Sequence, residues 1–276
     1  MSDFPWGDFA GGMAITGAAV LALVFVTWLI GKAIGRYNVI DVGWGLGFVV
    51  VALVDLVYSA GFPFGHGAGH GDAVRRTVVT VLVSIWGLRL ATYIAVRSRG
   101  KGEDPRYAAL LAAAPRNPDL HALVVVYLTQ AVAMWFVSLP VQVALFEPGP
   151  TGVLTWVGVA VWAVGFFFES VGDRQLDAFK RDPASRGQVM DRGLWRYTRH
   201  PNYFGDACQW WGLFLIAAQQ LVGVCTILSP LLMTYTLTSK TGKPTLEKGM
   251  EQRRPGYVDY VARTSGFFPR PPRARG

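Results

Sequence analysis

The densest run of chemically capable side chains spans Asp191 to Gly212, DRGLWRYTRHPNYFGDACQWWG. Arg192, Arg196, Arg199 and His200 precede Pro201; Asn202, Tyr203 and Asp206 follow it, and the chain then turns apolar. Proline disfavours the helical region for the residue before it but fits the first turn of a helix. A basic loop should therefore feed straight into a helix beginning at about residue 201. The free N–H groups and partial positive charge of that helix start, added to the bases, suit an anion. Asp206 lies four residues after Asn202 and three after Tyr203, so all three fall near one face of the first turn. The same residues also fit a plain interfacial loop, with arginines at headgroups and aromatics in the belt.

Three other groups could act. Glu169, Asp173, Asp177 and Lys180 fall within about 80° of arc on a helix, one narrow face beside Phe166, Phe167 and Phe168. Ionisable groups at membrane depth normally face an internal cavity, although a cytoplasmic helical extension with a wetted polar stripe reads the same way. Trp86, Arg89 and Tyr93 share a second helical face, where Arg89 either lines a cavity or snorkels outward. Arg97, Arg99 and Lys101 follow around Gly100 and Gly102, in a loop whose glycines let backbone amides approach phosphate and whose arginines can pair with it. Asp41 stands in the first turn of an apolar run, close to Tyr37, Asn38 and Trp44. It either caps that helix or, desolvated in a cavity, donates a proton to a carbonyl.

Positioning these groups falls to membrane helices. Of 276 residues, 52% are hydrophobic and they come in long runs parted by charged segments, the pattern of a polytopic membrane protein. Seven runs reach spanning length, at about 11–31, 39–60, 77–97, 121–145, 151–172, 203–221 and 223–239. The expectation is an all-α, seven-helix membrane domain over residues 1–269 with a disordered basic tail at 270–276. The first run reads as a retained helix rather than a cleaved signal, and the last two as a tight hairpin turning at Gly223. With the N-terminus outside and the C-terminus cytoplasmic, 23 of the 26 Lys and Arg fall on the inner side, leaving Arg75 and Arg76 outside and Arg89 within a helix. Every motif above then lies at or near the cytoplasmic face. Asp55, near the outer end of the second run, is expected at the interface.

Other classes find little support. Cys208 and Cys225 lie in apolar runs, which argues against a disulfide framework or a cysteine metal site. His66 and His70 in the glycine-rich loop 61–76 lack a third ligand, so no metal is expected. GWGLG at 43–47 opens no βαβ unit and reads as a close helix-packing surface. Nothing points to nucleic acid.

GLWRYTRHPNYFGDACQWWG resembles the C-terminal motif of the membrane-embedded steroid 5α-reductase superfamily, whose sterol reductases and isoprenylcysteine methyltransferases share a His-Pro-Asn/Ser-Tyr core. NVIDVGWGLGF (38–48), WGLRL (86–90), RGKGEDPRY (99–107), FESVGDRQLDAFK (168–180) and EKGMEQRRPGYVDY (247–260) extend the likeness to the bacterial branch, over about residues 36–269. The resemblance implies NADPH as cofactor, held by Tyr37, Arg89, Arg97, Arg99, Lys101, Glu169, Asp173, Lys180, Arg196, Arg199, His200, Asn202, Tyr203, Asp206, Lys243 and Glu247. Glu169 and Asp173 would accept hydrogen bonds from nicotinamide or ribose, and Lys180 would meet phosphate. It also implies hydride transfer to the β carbon of an α,β-unsaturated carbonyl lipid such as a 3-oxo-Δ4-steroid, drawn from the bilayer of a bacterial inner membrane. Asp41, with Tyr93 or Trp86, is the expected carbonyl-polarising group. The steroid 5α-reductases use a glutamate and a tyrosine there; this chain has no glutamate in its second helix, and Trp86 aligns best with the tyrosine. The competing expectation is an S-adenosylmethionine-dependent membrane methyltransferase, against which the abundance of bases argues, since that cofactor carries no phosphate. A non-enzymatic lipid-binding protein is a third.

Overall fold

Glycine sets how closely the helices of this protein approach. The computed structural model describes residues 4–61, 69–114, 116–240 and 242–273. Their regular structure is helical, with no strand among them beyond an isolated bridge between Thr198 and Ser265. They form two compact units: Met1–Gly152 with Ile216–Thr226, and Val153–Leu215 with Ile227–Gly276.

The first unit contains α1 (Trp6–Ile34), α2 (Val39–Ser59), α3 (Ala73–Ser98), α4 (Pro105–Ala112), α5 (Pro118–Val137) and α6 (Leu139–Phe146). Helix α2 packs along both α1 and α3. At the α2–α3 contact a side chain on Gly87 would come within 2.5 Å of the Gly45 carbonyl, so only glycine permits the approach. The GWGLG stretch is thus a packing surface. The apolar run expected at 121–145 divides in two: Pro140 lacks an N–H and its ring opposes the preceding turn, so α5 stops and α6 starts afresh.

Two polar groups of this unit differ from expectation. Asp55 is 0% exposed rather than interfacial, set beside Gly12 of α1. Arg75, counted as a loop base, is 1% exposed in the first turn of α3. Its guanidinium donates to the carbonyls of Ala144 (3.1 Å), Glu147 and Gly149 (3.3 Å), and lies 3.9 Å from the Glu147 carboxylate. Burial moves that carboxyl up to about 7 against the lowering effect of Arg75. The chain turns at residues 218–220 rather than at Gly223, which lies in the following helical segment Leu221–Val224, where a side chain would collide with the Ala217 carbonyl.

The second unit contains α7 (Val153–Arg181), α8 (Pro201–Ala217), α9 (Leu228–Tyr235) and α10 (Tyr257–Arg263). Helix α8 begins at Pro201, as the proline predicts. Gly158, Gly165 and Gly172 recur every two turns on α7 and meet Gly212, Gly205 and Pro201 of α8. A Cβ on Gly165 would stand 2.5 Å from the Gly205 carbonyl oxygen, and one on Gly212 2.6 Å from that of Gly158. Helix α7 runs unbroken to Arg181, past the 172 expected, which places all four of its ionisable positions on one continuous helix.

Among the described residues, six helical segments are long and apolar enough to cross a membrane: Trp6–Ile34, Val39–Ser59, Ala73–Ser98, Pro118–Val137, Val153–Arg181 and Leu221–Arg253. The expected sixth run is α8, which has 17 residues.

Candidate functional site

The head of α2 carries the first cluster. Asn38 makes no side-chain cap. Glu103 does that work from a distance: its carboxylate accepts from the backbone N–H groups of Tyr37 and Asn38, the latter at 3.1 Å, and from that of Asp104 at 2.9 Å. The acid thus answers the positive end of α2 and pins the 99–104 loop to it, assisted by Arg36 donating to the Ser98 carbonyl at 3.2 Å. With the cap supplied by Glu103, Asp41 is released for another partner. Its Oδ1 accepts a 2.6 Å hydrogen bond from the Tyr107 phenol, whose oxygen in turn accepts from Gln130 Nε2 at 3.3 Å. Arg106 lies 3.8 Å from Asp41 Oδ2 and is shared with Asp104 at 2.9 Å. Burial and the neighbouring Asp41 charge hold the Tyr107 phenol protonated, well above its ordinary range. Tyr107 therefore holds the proton of the pair and Asp41 accepts it.

The other expected groups of this unit sit as follows. Trp86 is 1% exposed, its ring 5.4 Å from Phe48. Tyr93 has guanidinium groups of both Arg89 and Arg97 over its ring, at 5.4 and 5.3 Å. Tyr37 is buried and donates to Asp119 Oδ1 at 2.6 Å, an orienting role for α2. Arg99 and Lys101 are exposed on the glycine loop, where Gly100 has a φ of +69°.

The second cluster gathers around the start of α8. Glu247 Oε1 receives both Arg199 Nε and His200 Nε2 at 2.9 Å, and Arg199 Nη2 reaches the other oxygen at 3.4 Å. Arg199 also donates to the Thr264 carbonyl at 2.8 Å. The His200 ring stacks on Tyr203 at 5.4 Å, and Lys243 and Arg199 converge at Gly266. Burial lowers the His200 pKa against the raising effect of Glu247 and favours the neutral ring, which can give its one N–H to that carboxylate. Nδ1 is then a buried acceptor with no donor. Asn202 repeats the pattern: its Nδ2 donates to Asp173 Oδ1 at 3.2 Å while its Oδ1 is buried without a partner. Two unmatched acceptors two residues apart, each costing roughly 1–3 kcal/mol if left so, could receive a ligand rich in N–H or O–H donors.

On α7, Glu169 and Asp173 are both buried, and Glu169 Oε2 accepts from Gln209 at 2.6 Å. Asp177 is half-buried near Arg181 at 4.0 Å, and Lys180 is exposed at the helix end. Asp206 is half-buried on α8, and Arg196 is exposed in a short turn before it. Sequence reading missed Tyr107, Gln130, Glu103 and Gln209. Only Tyr107 had a usable signal, as the closing residue of RGKGEDPRY just after a helix-starting proline. His70 bonds Asp8 at 2.6 Å; His66 lies outside the described residues, among which no cluster of three or more metal-binding side chains occurs.

Residues 27–264, most of the chain and both clusters, match the family described as DUF1295, protein of unknown function. The chain is a DUF1295 protein. That family stands in the steroid 5α-reductase-like group. This DUF1295 chain is also 23% identical over 252 residues to an uncharacterized protein, C594.04c, of Schizosaccharomyces pombe, covering 79% of the present chain and 70% of the yeast protein. No solved structure matches it.

Proposed function

We propose that this protein is an NADPH-dependent membrane reductase that saturates the C=C bond of an α,β-unsaturated carbonyl lipid, with a 3-oxo-Δ4-steroid reduced to its 5α product as the leading substrate. The observation that carries the reading is the Asp41–Tyr107 hydrogen bond. Hydride addition to a β carbon drives negative charge onto the carbonyl oxygen, and a proton donor positioned there stabilises the enolate. Methyl transfer from a sulfonium has no such need. Within the second unit, Glu169, Asp173, Asn202 and His200 supply acceptors for the amide and hydroxyl groups of the dinucleotide, and Arg196, Arg199, Lys180 and Lys243 supply charge for its phosphates.

The same reading places α8 as a seventh span, with the N-terminus outside and the C-terminus in the cytoplasm of a bacterial inner membrane. At 17 residues α8 covers about 25 Å, the low end of spanning length. The lysine and arginine asymmetry sets the orientation and puts the dinucleotide on the side where it is made.

The experiment is direct. Detergent-purified protein should bind NADPH in a calorimetric titration about 2–3 kcal/mol more tightly than NADH, as a charge-assisted phosphate contact predicts. It should also oxidise NADPH when given an enone lipid. Equal affinity for the two dinucleotides, or binding of S-adenosylmethionine instead, overturns the reading.

A further inference from the structure

Behind α10 the chain folds back on itself and borders a partly open pocket of about 320 Å³, lined chiefly by Arg263, Thr264, Ser265, Gly266, Arg270 and Arg273. Its lining includes three arginines, two hydroxyls and no carboxylate. Arg263 is tied by Nη2 to Asp191 at 2.5 Å, which leaves its buried Nε without an acceptor. No ion pair engages Arg270 or Arg273 among the described residues. Arg270 and Arg273 are exposed beside the Asp191-paired Arg263, and with no carboxylate in the lining they leave a positive surface that suits an anion.

The hollow is built rather than incidental. Arg270 N–H donates to the Tyr197 carbonyl and Arg273 N–H to that of Arg263, both at 3.0 Å. Thr198 Oγ1 holds the Phe267 carbonyl at 2.8 Å, and Tyr260 holds that of Trp195 at 2.6 Å. Pro269, Pro271 and Pro272 fix φ on either side of Arg270 and before Arg273, so the two arginines hang from a stiff backbone. We propose that this cavity is a binding site for a phosphate-bearing anion, and that the anion is the headgroup of an acidic phospholipid. The guanidinium fork matches phosphate oxygens, and the hydroxyls of Thr264 and Ser265 add donors. A lipid source is favoured by the adjoining aromatics. Phe268 is 59% exposed next to the cavity, while Phe267 reaches Phe204 in the first turn of apolar α8 at 6.0 Å. Exposed aromatic rings beside bases at the head of an apolar helix form an interfacial anchor. The inference stands apart from the reductase reading, which assigns no group of this cavity to the dinucleotide.

The test uses the full chain in nanodiscs of phosphatidylcholine alone or mixed with phosphatidylglycerol, followed by mass analysis of the lipids that stay bound after transfer to detergent. Wild-type protein should retain phosphatidylglycerol in preference to phosphatidylcholine. Each arginine near a membrane surface contributes roughly fivefold, so Arg270→Gln with Arg273→Gln should lower that preference about thirtyfold. Titration with inorganic phosphate separates the sources. Thermal protection of wild type but not of the double variant, without lipid preference, identifies free phosphate as the ligand of the same site. Wild-type protein that neither prefers phosphatidylglycerol nor responds to phosphate overturns the proposal with no variant needed. So does a double variant that folds and matches wild type in both readouts.

Discussion

The Tyr107 phenol donates to Asp41 Oδ1 across 2.6 Å, joining the first turn of α4 to the first turn of α2. On the proposed reduction, the substrate carbonyl would take over the hydroxyl proton that Tyr107 otherwise gives to Asp41. Tyr107→Phe keeps the ring and removes the hydroxyl. It should lower the reduction rate by about 10²–10³ while leaving NADPH affinity unchanged, as loss of one enolate-stabilising donor does elsewhere. Asp41→Asn should do the same. Undiminished single-turnover reduction by folded Tyr107→Phe protein would remove the pair from the chemistry.

Glu247 is the shared partner of Arg199 and His200, so Glu247→Gln strikes two contacts at once. The loss should be about 1.5–3 kcal/mol, the usual range for hydrogen bonds to a charged group. A fall in thermal midpoint of several degrees is the expected readout. A midpoint within a degree of wild type would mean that Arg199 and His200 find equivalent partners unaided.

His200 sets a pH dependence. Its pKa is lowered in the folded protein, mainly by burial, from the ordinary value near 6.5. A base whose folded pKa is depressed binds fewer protons folded than unfolded, so stability is full above about pH 6.5 and is lost as pH falls toward the folded value. Melting curves between pH 7.5 and 5 should show a steeper acid loss for wild type than for His200→Gln. Parallel curves would show that the ring does not titrate in this way.

Helix contact through glycine predicts a stability effect with no chemistry attached. Gly165→Val puts a branched side chain where the Gly205 carbonyl already stands, and overpacking of this kind costs about 1–3 kcal/mol. Gly102→Ala, with nothing within 4 Å, is the control and should leave the midpoint unchanged.

Asn202 and Asp206 test the dinucleotide reading. Asn202→Ala should weaken NADPH binding by about 0.5–1.5 kcal/mol, and Asp206→Ala, which removes a charged acceptor, by about 1.5–3. Wild-type NADPH affinity in a well-folded Asp206→Ala protein would take that residue out of the pocket.

What the chain determined unaided was anything carried by local pattern. Apolar runs of bilayer length foretold the helices, Pro201 the start of α8, and glycines in apolar context the close helix contacts, because hydropathy, proline geometry and a missing Cβ act within a few residues. The 100° step put Glu169 and Asp173 on one face, and both are buried. Pairings between distant segments were decided by tertiary structure alone. Asp41 read equally as a helix cap or an acid until Glu103, more than sixty residues away, was seen to supply the cap and Tyr107 to take the carboxylate. Asp55 looked interfacial and Arg75 looked like a loop base because charge usually seeks water, yet both are enclosed, Arg75 by carbonyls of a segment some seventy residues on. A side chain's hydrogen-bond partner depends on which helix end is brought opposite it, and no periodicity in the sequence encodes that distance.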